Sequence, residues 1–138
     1  PDEMDRILNK ESGLLGISGV SSDVRDVEAE ATNGNKRAEL SLKAYDLNIA
    51  QYIAKYAVSM GGVDTIVFTA GVGENQKNRR AGICKNLEFL GVKIDDAKNE
   101  IRGEEVELSA PDSKIKVFVV PTNEELVIAR ETKKLISK

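Results

Sequence analysis

Val63-Asp64-Thr65-Ile66-Val67-Phe68-Thr69-Ala70-Gly71-Val72-Gly73-Glu74-Asn75 changes character half-way along. Its first part is β-branched and apolar and predicts a buried strand. It breaks at Gly71 and Gly73, and a helical pattern follows from Gln76 to Asn86. A strand that stops at a glycine turn and feeds a helix leaves backbone N–H groups free, and glycine lets a ligand approach the backbone closely. A nucleotide suits that geometry; so does a plain strand-to-helix turn, since G-x-G is not the six-residue dinucleotide fingerprint.

A second unit of the same kind lies near the carboxyl end. Ile115-Lys116-Val117-Phe118-Val119-Val120 reads as a buried strand ending at Pro121. Thr122 or Asn123 then caps a helix from Glu124 to Ile136, with Leu126, Val127 and Leu135 expected to face inward. Two strand–turn–helix units predict an α/β fold with both turns at the carboxyl edge of a parallel sheet, where open α/β folds bind ligands. Glu124 and Glu125 would then sit near Gly71–Gly73. A carboxylate beside phosphates implies Mg²⁺ between them; the plainer reading is that both acids favour a helix N-terminus.

Between these units and the amino end, the pattern is helical. Met4, Ile7 and Leu8 share a face in a short first helix, and Leu14 to Val20 reads as irregular, closely packed chain. Ser21-Ser22-Asp23 offers helix caps. Asp23, Arg25 and Asp26 form either a solvated charge cluster or a site where Arg25 meets an anion, held by its carboxylates. Asn33-Gly34-Asn35 marks a turn, and Leu42, Tyr45, Ile49, Tyr56 and Met60 recur at helical spacing over Lys36–Met60, up to Gly61-Gly62. The tyrosines of this long amphipathic helix suit a core or a subunit interface. Arg79, Arg80 and Lys85 are expected on the wet face of the helix after the glycine turn, and Glu105 to Leu108 as a short edge strand.

Composition sets limits. The chain has 138 residues, 41% hydrophobic, in the range of one domain. A net charge of -3 gives no basic patch for nucleic acid. No apolar run is long enough for a membrane span. The single cysteine, Cys84, excludes an internal disulfide and fits a reducing, cytoplasmic setting. With no histidine, triad hydrolysis and histidine-based zinc chemistry are excluded for this chain.

Three segments taken together go further. Gly16-Ile17-Ser18-Gly19-Val20-Ser21-Ser22-Asp23-Val24-Arg25-Asp26, then Val67-Phe68-Thr69-Ala70-Gly71-Val72-Gly73-Glu74-Asn75, then Val120-Pro121-Thr122-Asn123-Glu124-Glu125 resemble, in order and spacing, the carboxyl-terminal part of the acetate kinase family. The resemblance covers essentially the whole chain. It implies membership of the acetate and sugar kinase, heat-shock cognate and actin superfamily, and a partial RNase H-like domain. It implies that Asp23, Val24 and Arg25 meet ADP, that Gly71, Val72 and Gly73 with neighbouring Asn75 form an adenosine loop, and that Glu124 is associated with Mg²⁺. It also implies the reaction of ATP with acetate to give ADP and acetyl phosphate, and a homodimer. The family's amino-terminal domain, catalytic groups and the antiparallel strands beside Thr65–Thr69 are not found here. The expectation is therefore the carboxyl-terminal portion of a nucleotide-binding domain, inactive alone. The alternatives are a non-catalytic nucleotide-binding or dimerisation module, or part of a propionate or butyrate kinase.

Overall fold

A computed structural model describes residues 1–137. The fold is mixed α/β. Helix α1 (Asp2–Arg6) runs into a π-helical turn at Ile7–Glu11, then α2 (Gly13–Ser18) and α3 (Val24–Thr32) lead to α4 (Lys36–Met60). Strand β1 (Thr65–Phe68) is followed by α5 (Ala70–Asn75) and α6 (Lys77–Lys85). Strands β2 (Val106–Glu107) and β3 (Lys116–Val119) precede α7 (Glu124–Ile136).

The local signals explain the ends of these elements. Asn35 caps α4 by accepting from the Arg37 and Ala38 amides. At the other end Gly61 is left-handed, and the Gly62 amide returns to the Ala57 carbonyl at 2.9 Å, a helix stop that favours glycine. Asn123 accepts from the Leu126 amide at 3.0 Å and starts α7. The segment after Gly13, expected to be irregular, forms the helix α2. Its glycines do not break it: Gly16 donates to the Ser12 carbonyl at 3.3 Å, and left-handed Gly19 closes the last turn.

The sheet order is β1-β3-β2. Strands β1 and β3 are parallel, with Ile66 opposite Val117 and Phe68 opposite Val119. Strand β2 pairs antiparallel along β3, as the short edge strand expected near Glu105–Leu108. The parallel pairing puts the turns after Phe68 and Val119 at one sheet edge. Among the described residues only one sheet face is covered. Ile66, Phe68, Val117 and Val119 are buried there against Ala50 of α4 and Ile83 and Cys84 of α6. Val67, on the other face, is 53% exposed, so β1 is half-buried rather than fully buried. Its unbroken apolar run is the kind found in strands with both faces covered.

A second cluster (Val24, Val27, Ala38, Leu42) joins α3 to α4. Two expectations fail here. Arg79 and Arg80 are buried, at 8% and 0% exposure, not on a wet face. Leu126, Val127 and Leu135 of α7 are exposed, and α7 has no buried residue, because no other element covers its apolar stripe among the described residues.

Candidate functional site

Four residues with different tasks carry the chain from β1 into α5, and Gly71 and Gly73, expected to break the pattern ahead of a helix from Gln76, lie inside α5 itself. Thr69 is extended, and Ala70 then takes a left-handed φ of 59°. A side chain in that region costs on the order of 1 kcal/mol, so the strain sits one residue before the glycines. Gly73 is needed for packing: a Cβ there would lie 3.1 Å from the Phe68 carbonyl carbon, against the strand just left. Gly71 is different. A Cβ on it would meet nothing within 4 Å, because it faces open space.

That open space is a cleft of about 570 Å³. Asp23, Val24, Arg25, Gly71, Val72 and Asn75 all line it. These six candidates come from two segments far apart in the chain, joined by packing of α3 on α4 and α4 on α6. Gly73 does not line it; it opens instead on a neighbouring cavity of about 260 Å³, beside Arg79 and Arg80. Glu124 lies on the first turn of α7, exposed, and lines neither.

Asp23 caps α3 and accepts from the Arg25 amide at 2.9 Å. The same carboxylate takes the Arg25 guanidinium, with Nε at 3.0 Å and Nη2 at 2.5 Å. The Arg25 bonds hold the Asp23 carboxyl down at about 2, and Asp23 in turn raises the Arg25 pKa. Asn75 is fixed from both sides: its amide donates to the Gly71 carbonyl at 3.0 Å and its oxygen accepts from Arg102 Nε at 3.2 Å.

The two turns touch through an acid that the sequence did not single out. Glu74 Oε1 accepts from the Thr122 amide at 2.8 Å and from the Thr122 hydroxyl at 2.5 Å. These bonds lower the Glu74 pKa. The turns therefore meet at Glu74 and Thr122, two residues before Glu124.

Behind the cleft sits Arg80. Its guanidinium donates to the carbonyls of Gly73, Glu74, Asn99 and Ile101 and to the Asn99 side chain, at 2.7 to 3.0 Å. All five N–H donors of an arginine are used, and every acceptor is neutral. Burial lowers its pKa. Arg80 thus ties the end of α5 to the segment Asn99–Ile101. Arg79 turns the other way, to Asp46 of α4 at 2.9 Å and the Leu42 carbonyl at 3.3 Å. Burial pushes the Asp46 carboxyl up to about 6 despite that partner, and its Oδ1 has no hydrogen bond. A signal for the buried arginine exists in the sequence: Arg80, Ile83, Cys84 and Leu87 recur at the spacing of one apolar helix face. No such signal marks Arg102 or Thr122.

Among the described residues, no three His, Cys, Asp or Glu side chains gather to hold a metal. A lone carboxylate such as Glu124 still fits Mg²⁺, which commonly takes one or two carboxylates together with phosphate oxygens and water.

Residues 1–130 match the model of the acetokinase family. The chain belongs to that family. It is 56% identical over all 138 residues to an acetate kinase of Dictyoglomus turgidum, covering 34% of that protein. It superposes on the crystal structure of Porphyromonas gingivalis acetate kinase with a TM-score of 0.86 and 48% identity, covering 96% of this chain and 34% of that one. A propionate kinase from Francisella tularensis gives 0.84 and 38%, over 94% of this chain and 33% of that one. The chain spans about a third of the length of the curated acetokinase relatives it matches. No helix among the described residues is long and apolar enough to cross a membrane.

Proposed function

We propose that residues 1–138 form the carboxyl-terminal, nucleotide-side portion of an RNase H-like domain in a cytoplasmic acetate kinase. That enzyme transfers the γ-phosphoryl group of ATP to acetate and yields ADP and acetyl phosphate. One observation carries the reading: the start of α3 and the turn after β1 open on one cleft, lined by Asp23, Val24, Arg25, Gly71, Val72 and Asn75. In this reading those residues hold ATP or ADP, and Gly73 supports them by letting α5 fold against β1. Glu124 would share Mg²⁺ with phosphate oxygens, and the ion would offset negative charge on them. The exposed apolar side chains of α4 and α7 favour self-association as a homodimer.

The chain spans about a third of its relatives, so nucleotide binding without turnover is expected from it. Calorimetric titration with MgADP tests this. The wild-type chain should bind, and Gly71→Val should lose about tenfold in affinity by placing a branched side chain in the cleft, without unfolding. No heat at millimolar MgADP, or an unaltered Gly71→Val isotherm, would overturn the assignment. A second reading, a propionate kinase, draws on the Francisella tularensis likeness. Comparing acetate with propionate as acceptor in the complete enzyme separates the two.

A further inference from the structure

We propose that Arg102 is a further nucleotide-binding residue that meets a phosphate of the ligand; the inference rests on the nucleotide reading of the cleft. Arg25, the cation expected to face an anion, is already paired with Asp23 by three guanidinium contacts at 2.5 to 3.2 Å. Arg102 lines the same cleft, and no ion pair engages it among the described residues. Asp23 and Arg25 cancel, so Arg102 supplies the uncompensated positive charge in the cleft lining. A polyanionic ligand is drawn to that charge, and a planar guanidinium matches phosphate geometry.

The placement of Arg102 is built, although the side chain is exposed. Arg80 grips the Ile101 carbonyl at 3.0 Å, and the Gly103 amide donates to the Glu74 carbonyl at 3.3 Å. The backbone on either side of Arg102 is thereby tied to the glycine turn. Its Nε rests on Asn75, and that single bond leaves both terminal nitrogens for a ligand.

Calorimetry with ADP and with adenosine, on the wild-type chain, Arg102→Gln and Arg102→Lys, tests the assignment. Arg102→Gln should lose about tenfold in ADP affinity and leave adenosine affinity unchanged. Arg102→Lys should recover part of the loss, and raising the salt concentration should shrink the difference. All three proteins should melt at the same temperature. ADP binding equal to wild type in Arg102→Gln, or an equal loss for adenosine, would overturn the phosphate contact while leaving the nucleotide site standing. A wild-type chain that binds neither ligand would overturn both.

Discussion

The unit built from β1, α5 and α6 and the unit built from β3 and α7 follow one local pattern, an apolar strand, a turn and a helix. In the first, α6 buries Arg79, Arg80, Ile83 and Cys84. In the second, α7 buries nothing, and its Leu126, Val127 and Ile128 lie open. The basic helix is inside and the apolar stripe is outside, the reverse of what side-chain polarity predicts. Periodicity reports that a helix has a preferred face; it carries no information about what covers that face. An arginine enters a core when backbone carbonyls converge on it, as they do on Arg80.

The sharpest challenge to this contrast is Arg80→Met. It keeps volume but takes a donor from five acceptors around Gly73, Glu74, Asn99 and Ile101, of which the Glu74 carbonyl keeps the Gly103 amide, and should cost about 4 kcal/mol in denaturant unfolding. A loss under about 1 kcal/mol would show that those carbonyls find other donors. Gly82→Ala, next on α6, should cost about 2 kcal/mol, since its Cβ would lie 2.1 Å from Asp46 Oδ2. Equal midpoints for wild type and variant would mean that α4 and α6 are less closely seated than they stand.

The pH dependence comes from the same contact. The Asp46 carboxyl lies at about 6 in the fold against an ordinary 3.8, so folding takes up a proton between those values. This group's contribution to stability therefore falls as pH rises through that window. Denaturant midpoints at several pH values should show the decline, and Asp46→Asn should remove that component. An unchanged slope in the variant would assign it to other carboxylates. The smallest effect belongs to α7. Leu126→Ala should change stability by no more than about 0.5 kcal/mol in this chain, where Ile83→Ala costs about 3. A large loss at Leu126 would mean that α7 has a covered face after all.

Much of the fold was legible because its signals are local. Asn35 and Gly61 bound α4 at Lys36–Met60, and Asn123 starts α7 at Glu124, where cap chemistry places them. The parallel pairing of β1 with β3 follows the two strand–turn–helix units. The helix Gly13–Ser18 was hidden because its glycines resemble breakers. The candidate site was legible in part. Six of its seven cleft residues stand together, while Gly73 packs on Phe68. Glu124 was expected beside the glycine turn; the acid that joins the turns is Glu74, through Thr122.

The sequence alone determined most of the elements, α2 and α5 excepted, with the caps of α4 and α7 and the three segments that mark the acetokinase family, because each depends on residues a few places apart. Only the tertiary structure decided that Arg80 is buried, that Arg102 reaches Asn75 and lines the cleft shared with Asp23 and Arg25, and that the stripe of α7 is bare. Those outcomes depend on which distant carbonyls and carboxylates the packing brings within about 3 Å of a side chain, and hydrogen bonding at that range is set by the assembled topology rather than by neighbours in the chain.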